Sequence, residues 1–150
     1  KGKRKLAVED VPAGVGRTNL KKGEFIESIS LPAKKPKSGD AYLRFIPRTE
    51  MDIAVVSCGI NLTIDGKGTI TAARVALGAV APTVLLVKDA AKAIIGSKLD
   101  DAALANLAAA ASAACKPIDD KRGTIEFRTE VAGVLAKRAA EIAYKRAGGK

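Results

Sequence analysis

Residues 53–78 read IAVVSCGINLTIDGKGTITAARVALG, and this stretch decides the fold class. In residues 54–64 an apolar side chain stands at every second position, which is the period of a β-strand that buries one face. Residues 65–68, D-G-K-G, follow, and an Asp-Gly pair accepts the positive φ of a tight turn at little cost. Residues 69–77 then return as a second extended run. The stretch therefore predicts an antiparallel β-hairpin with one buried face.

Two further strands are predicted before this hairpin. In residues 25–31 large apolar side chains alternate with polar ones, and Pro32 closes the segment. Residues 42–46 form a shorter extended run that Pro47 ends. Together with the hairpin, these runs predict a meander of three or four antiparallel strands within residues 24–80.

After Pro82 the apolar period becomes helical, and three helices are predicted within residues 83–147. The first runs from a cap at Thr83 to Ile95, with Gly96 as its stop, the second from a cap at Asp100 to Cys115, and the third from Thr124 to about Tyr144. Their expected buried stripes are Val84, Val87, Ala91, Ile94 and Ile95, then Leu104, Leu107, Ala108 and Ala111, then Phe127, Val131, Val134, Leu135 and Ile142.

Strands followed by helices predict an α+β fold, in which an antiparallel sheet of three to four strands packs against a three-helix layer. The 150 residues fit a single domain, with residues 1–20 as an extended opening segment. The sequence begins with Lys1 rather than Met, so we expect this domain to be a fragment of a longer protein.

Composition excludes several classes of site. The sequence has no His, which removes Ser–His and Cys–His nucleophiles and the usual metal ligand. Cys58 and Cys115 stand far apart, so we expect two buried thiols in a cytoplasmic protein rather than a metal site or a redox pair. No apolar run approaches the ~20 residues of a membrane span, and no signal peptide is visible.

The formal net charge is +10, from 26 basic and 16 acidic residues. The excess is concentrated at the first residues and around residues 34–37, K-K-P-K, as in solvated tails and loops. Binding of single-stranded nucleic acid also needs aromatic side chains for stacking, and aromatics make up only 3% of the sequence. We therefore expect no nucleic-acid partner.

Four groups of residues are candidates for a catalytic or ligand-binding site. Residues 14–17, G-V-G-R, lack the third glycine and the helix of a nucleotide loop and favour a simple turn. Residues 119–122, D-D-K-R, favour a charged loop at a helix start over a metal or phosphate site. Cys58 lies on the apolar strand face, so burial is favoured over nucleophilicity. Glu50 and Asp52, beside Arg48, favour a local ion-pair cluster over an acid/base pair. No set forms a complete active site.

The order of several short motifs resembles a known family. They are G-V-G-R-T at 14–18, L-K-K-G-E-F-I at 20–26, Y-L-R-F at 42–45, D-I-A at 52–54, G-A-V-A-P-T at 78–83, G-S-K-L at 96–99, D-K-R-G at 120–123 and F-R at 127–128. In this order and spacing they resemble the C-terminal domain of the FAD-binding (medium) subunit of molybdenum hydroxylases, the carbon monoxide dehydrogenase and xanthine dehydrogenase family. The likeness runs from about Lys5 to Tyr144.

This resemblance implies a role and two cofactor-facing residues. In that family an upstream FAD-binding domain holds most of the flavin, and partner subunits or domains carry iron–sulfur clusters and the molybdenum cofactor. The basic residue of the Y-x-K/R-F strand, here Arg44, and an aliphatic residue after the G-E pair, here Ile26, are expected to reach the FAD. Arg stands where Lys is commoner. The alternatives are a surface charge for Arg44 and core packing for Ile26.

A second function from a different class remains open at this level. The basic composition is also that of a small module that binds nucleic acid or an acidic partner protein. Glycine-rich FAD loops encoded before Lys1 would favour the oxidoreductase interpretation, and an unrelated upstream sequence would favour the binding module.

Overall fold

The computed structural model describes residues 2–49 and 53–149, and a four-stranded antiparallel sheet with helices on one face dominates it. A 3-10 turn, Val8–Asp10, and a small hairpin of β1 (Pro12–Gly14) and β2 (Arg17–Thr18) come first. The main sheet has the order β3 (Ser38–Phe45), β4 (Val56–Ile64), β5 (Ile70–Gly78) and β6 (Leu85–Leu86). The helices are α1 (Lys88–Ile94), α2 (Asp101–Ala113) and α3 (Ile125–Arg146). The α+β class is confirmed.

The hairpin of β4 and β5 forms as its alternation predicts. Cys58 pairs with Leu43 on one side and Leu77 on the other, and all three lie on the helix-covered face of the sheet. The regular strand begins at Val56 rather than at residue 53. Val55 donates its backbone N–H to Phe45 O at 3.0 Å, although Phe45 pairs with Val56 in the ladder, so the pairing is irregular before that point.

Two of the three predicted helix starts are confirmed. The side chain of Asp100 accepts the backbone N–H of Ala103 at 2.8 Å, and the hydroxyl of Thr124 accepts that of Phe127 at 3.1 Å. In each case a polar side chain satisfies one of the N–H groups that a helix leaves free at its first turn.

The predicted start of the first helix at Thr83 is wrong. Leu85 and Leu86 form β6, which pairs with Leu77 and Ala76 at the end of β5. Val87 donates its N–H to Val75 O at 2.8 Å, and only then does α1 begin. Val84 and Ile95, both expected in the buried stripe, are exposed. Pairing with an available strand edge overrode the helical period of these few residues.

The predicted buried stripe of α3 is also wrong in part. Phe127 and Val134 are exposed, and the buried face consists mostly of small side chains: Ala132, Gly133, Ala136, Ala139, Ala140 and Ala143. A Cβ on Gly39 of β3 would overlap the backbone oxygen of Ala143, so the helix rests directly on the strand backbone. β3 also begins four residues earlier than the predicted start at Tyr42, because residues 38–41 pair with β4.

The strand predicted over residues 25–31 does not form. The segment has no sheet partner in the described part of the chain, and the side chains of Phe25, Ile29 and Leu31 are 81%, 77% and 88% exposed. Its apolar side chains alternate as in a strand, but a strand needs a neighbouring strand to hydrogen-bond its backbone N–H and C=O groups.

Residues 12–18, expected to be extended, instead form the β1–β2 hairpin. Its turn agrees with the simple turn predicted for residues 14–17.

We expect Cys58→Asp to lower the free energy of unfolding by roughly 3 kcal/mol or more, because Cys58 is fully buried and the site offers no partner for a carboxylate. Asn61→Asp is the matched control, since Asn61 is exposed on the same strand, and its effect should stay within about 0.5 kcal/mol. Urea denaturation of both variants measures the difference. Equal stability of Cys58→Asp and wild type would contradict this strand register.

Candidate functional site

Arg44 lies on the face of the main sheet that the helices leave uncovered, here called the open face. On the other face, the Phe45 ring packs edge-on against Phe127 of α3 with ring centroids 5.7 Å apart. Because side chains alternate along a strand, Tyr42 and Arg44 share the open face. Arg44 is exposed, and no described residue forms a hydrogen bond or ion pair with its guanidinium. Its five donors are therefore available to a partner.

Ile26 lies in residues 25–31, here called the apolar segment, and its side chain is 54% exposed. The alternative of core packing is thus wrong for Ile26. The segment is held at its start by an ion pair in which Arg4 donates to both carboxylate oxygens of Glu24, at 2.9 and 2.6 Å. Lys3 and Glu27 form a second pair at 2.6 Å.

The Arg4 guanidinium, through these hydrogen bonds, is the main cause that lowers the pKa of Glu24 to about 2. The backbone N–H of Lys21, which donates to the same carboxylate at 2.6 Å, acts in the same direction. Glu24 is therefore ionised at neutral pH, so its ion pair with Arg4 can hold the start of the apolar segment there.

The structure does not bring Arg44 and Ile26 into one site. Arg44 belongs to the rigid main sheet, whereas Ile26 belongs to a segment without regular secondary structure. Neither residue lines either of the two surface cavities described next. Both side chains are exposed to solvent.

One cavity, of about 490 Å³, lies on the open face between the main sheet and the 3-10 turn. Tyr42, Gly59 and Ala76 stand side by side across β3, β4 and β5 on its floor. Glu9 and Arg74, which pair at 3.1 Å, both line it. Sequence reasoning missed this cavity, although a glycine in the middle of the best strand was a signal that side chains there are small.

A second cavity, of about 590 Å³, separates the β1 strand from residues 81–87 and the end of α2. Pro12 and Gly14 line one side, and Pro82 and Lys116 line the other. The last three residues of the G-A-V-A-P-T motif, residues 81–83, therefore line this cavity together with residues 12–14 of the N-terminal hairpin.

The buried Arg128 of α3 joins four parts of the chain. Its side chain, 5% exposed, donates to Val55 O at 2.8 Å, to Ala79 O at 3.5 Å and to Gly123 O at 3.3 Å. It also pairs with Asp120 at 2.7 Å. These contacts fix the start of β4, the end of β5 and the loop before α3 relative to one another. The spacing of residues in the sequence did not predict these hydrogen bonds of Arg128.

Residues 119–122 form the charged loop at a helix start that their composition favours. Asp119 accepts the backbone N–H of Ile125, and Asp120 accepts that of Arg122 at 2.7 Å. The Arg122 N–H first, and the Arg128 guanidinium second, lower the pKa of Asp120. Within the described ranges, no group of His, Cys, Asp or Glu side chains is arranged to hold a metal ion.

The two thiols show no sign of activation. Burial raises the pKa of Cys58 to about 12, and it also raises the pKa of Cys115, which is only half-buried. Cys115 is thus less buried than expected.

Glu50 and Asp52, for which an ion-pair cluster with Arg48 is predicted, lie outside the described residues. No helix in residues 2–49 and 53–149 is long and apolar enough to cross a membrane.

The elements define an α+β domain in which three helices cover one face of a four-stranded antiparallel sheet and the other face is open. The chain belongs to the family described as the CO dehydrogenase flavoprotein C-terminal domain, whose sequence profile matches residues 41–143. The resemblance of the motifs is confirmed by this match.

Similar proteins of known name support the assignment. The carbon monoxide dehydrogenase medium chains of Afipia carboxidovorans and Hydrogenophaga pseudoflava are 36% and 31% identical, each over 97% of this chain and 50% of the relative. The solved structure of reconstituted CO dehydrogenase from Oligotropha carboxidovorans superposes with a TM-score of 0.89 at 34% identity, over 94% of this chain and 49% of that one. The chain thus spans about half the length of the relatives it matches.

We expect Arg128→Met to lower the free energy of unfolding by about 3 kcal/mol, because it leaves the carbonyl of Val55 buried without its donor and Asp120 without its cation. Arg138→Met is the control, since Arg138 is exposed on the same helix. Chemical denaturation measures both. A similar small effect of the two substitutions would contradict the role of Arg128 in the fold.

We expect the carboxyl group of Glu24 to titrate with a midpoint near pH 2 in the folded protein. Its lowered pKa means that the contact with Arg4 is fully formed above the ordinary Glu value of about 4.3 and is lost as the pH falls towards 2. Arg4→Ala should move the midpoint up towards the ordinary value, and Lys3→Ala should leave it in place. NMR of the side-chain carboxyl carbon measures it, and an ordinary midpoint in wild type would contradict the pair.

Proposed function

We propose that this chain is the C-terminal domain, residues 1–150, of a longer flavoprotein subunit of a molybdenum hydroxylase-type oxidoreductase. In that subunit it covers one side of FAD and docks partner subunits, so that electrons pass from iron–sulfur clusters to FAD and on to an acceptor. Membership of the flavoprotein family and alignment with about half of each medium chain support this assignment.

The exposed apolar segment is the observation that carries the proposal. Phe25, Ile26, Ile29 and Leu31 are large, apolar and more than half exposed within seven residues of each other. Apolar surface concentrated in this way marks an interaction site in a folded protein. An upstream FAD-binding domain, which supplies a neighbour for the segment, would cover these side chains and satisfy the backbone that the predicted strand leaves free.

In the proposed enzyme, the redox groups and this domain have separate roles. They include no metal-binding cluster and no activated thiol, so redox chemistry belongs to groups held elsewhere in the complete enzyme. FAD, when bound, accepts and releases the electrons. This chain's residues shield the cofactor from water on one side, orient it, and adjust the stability of charge on it.

Arg44 fits a cofactor-facing position by its geometry. Its side chain is exposed on the open face, and its guanidinium is free of partners among the described residues. A guanidinium donates to a carbonyl oxygen and stabilises negative charge that develops beside it. We assign Arg44 the role of stabilising the pyrimidine edge of the reduced flavin. Rigid placement on an eight-residue strand suits that role.

Ile26 is assigned the complementary role of an apolar contact. An aliphatic side chain excludes water and offers no hydrogen bond, so it suits the flat face of an aromatic ring system. Its neighbour Glu24 is fixed by Arg4, which limits how far Ile26 can move. Docking of the upstream domain would bring Ile26 and Arg44 to the same cofactor.

We propose that the complete enzyme is located in the cytoplasm. Cys58 and Cys115 are both free thiols, as is usual in a reducing compartment. The proposed partners are the upstream FAD-binding domain and the iron–sulfur and molybdenum subunits, without nucleic acid and without a membrane span. The alternative, a small basic module for nucleic acid or an acidic protein, draws on the net charge of +10.

We expect Arg44→Ala, made in the complete subunit within its enzyme, to lower the reduction potential of the flavin while FAD stays bound. One charge-assisted hydrogen bond contributes ~1.5–3 kcal/mol, which is roughly 30–65 mV for a two-electron couple if it forms only on reduction. Arg74→Ala is the control, because Arg74 lies on the same open face but pairs with Glu9. Spectroelectrochemical titration measures the potential of each variant.

The outcomes separate the assignment of Arg44 from that of the subunit. A flavin potential equal to wild type in Arg44→Ala would mean that Arg44 does not touch the ring. Loss of FAD from the variant would instead show a binding role. A wild-type complete subunit that holds no FAD would contradict the proposed function itself.

A further inference from the structure

We propose that one end of this domain, here called the basic end, is a docking surface for an acidic protein surface on another subunit of the same enzyme. The proposal rests on the proposed function for the identity of its partner. The basic end lies where β4 turns into β5 and where α3 finishes. Lys67 lies in that turn, Lys145 and Arg146 end α3, and the chain just before β3 carries Lys34, Lys35 and Lys37.

The loop before β3 and the β4–β5 turn lie against each other. Lys37 O accepts the backbone N–H of Ile64 at 3.0 Å, which continues the β3–β4 ladder to the turn. The Lys37 ammonium lies 3.5 Å from the place that a Cβ on Gly66 would take. Lys37 and Lys67 both act on the charge of Asp65. Two loops that are distant in sequence therefore place their lysines side by side.

The last turn of α3 reaches the same place. The Tyr144 hydroxyl donates to Gly68 O at 2.7 Å, which ties the helix to the turn. The Arg146 guanidinium donates to Asp40 O at 2.7 Å on the free edge of β3. Lys145 lies between these two anchored residues in the sequence of α3 and is exposed. Lys37, Lys67, Lys145 and Arg146 are thus carried by elements that hydrogen bonds hold together.

These charges are not neutralised within the domain. None of the six forms an ion pair with a described residue, in contrast to Arg4, Arg74 and Arg128, which all pair with carboxylates. Asp65 lies in the same turn as Lys67, and Asp40 lies in β3 beside Arg146. Asp65 accepts the backbone N–H groups of Lys67 and Thr69 at Oδ1, so one of its two carboxylate oxygens is already hydrogen-bonded inside the turn. The basic end keeps an excess of positive charge.

Charge complementarity identifies the chemistry of the partner. A second copy of this chain carries the same net charge of +10 and would be repelled. Single-stranded nucleic acid needs exposed aromatic rings for stacking, and the aromatic side chain at the basic end, Tyr144, is 7% exposed with its hydroxyl occupied. A rigid surface of unpaired lysines fits clustered carboxylates on a folded protein.

The test uses the full-length subunit with its own partner subunits. One variant combines Lys37→Glu, Lys67→Glu and Lys145→Glu. The matched control combines Lys88→Glu, Lys121→Glu and Lys137→Glu, which are exposed on other parts of the domain and change the net charge equally. Affinity for the partner subunits is measured between 50 and 500 mM NaCl, roughly the range over which screening becomes strong. FAD content and melting temperature are measured for all three proteins.

We expect the basic-end variant to bind its partner subunits at least tenfold more weakly at low salt and with a flatter salt dependence, while the control binds as wild type does. Equal weakening of both variants, or unchanged binding of the basic-end variant, would overturn the proposal. If the glutamates prevent folding, the corresponding Lys→Gln triple variant should still show a severalfold loss.

Two further measurements separate the proposal for the basic end from nucleic-acid binding and from the proposed function. Oligonucleotides are titrated into wild type and the basic-end variant, and submicromolar binding that the variant loses would overturn the proposal in favour of a nucleic-acid surface. FAD should remain bound in every variant. Absence of FAD from the wild-type subunit would contradict the proposed function, whereas loss of partner affinity with FAD retained supports the basic end alone.

Discussion

The buried guanidinium of Arg128 is the contact on which the arrangement of sheet and helices depends. It donates to carbonyl groups of Val55 and Ala79, at the start of β4 and the end of β5, and pairs with Asp120 before α3. An ionised group in the interior is tolerated only when its donors are satisfied. The described residues contain no buried side-chain polar atom without a partner. One side chain thereby links the two layers of the domain.

Close approach of backbones is the second constraint. The buried face of α3 is built from alanines, and Gly39 of β3 leaves room for the helix backbone. Gly133 does the same between α3 and α2, where a Cβ would lie 2.8 Å from the Ser112 hydroxyl oxygen. Small side chains give little apolar area each, but they allow many van der Waals contacts at short distance. Glycine at these two positions therefore lets α3 lie directly against β3 and α2.

The residues to which we assign functional roles all lie on outer surfaces of the domain. The open face carries Arg44, the apolar segment carries Ile26, and the basic end carries unpaired lysines. Each of these surfaces exposes a charge without a described partner or a group of apolar side chains. This pattern fits the proposed function, in which the domain covers the flavin and docks other parts of the enzyme.

The sequence by itself determined the features that depend on a few neighbouring residues. The alternation of β4, the Asp-Gly turn, the caps at Asp100 and Thr124 and the burial of Cys58 all follow from local stereochemistry, and the order of motifs pointed to the family. Within the site, the exposure of Arg44 on a strand followed from the same alternation.

Tertiary structure decided the rest. Whether Leu85 and Leu86 pair with β5 or begin a helix depends on a strand edge being within reach. The partners of Arg128 lie up to 73 residues away, and no local signal encodes such a distance. Residues 25–31 carry the period of a strand but remain unpaired, because a strand is completed by its neighbour and not by its own sequence.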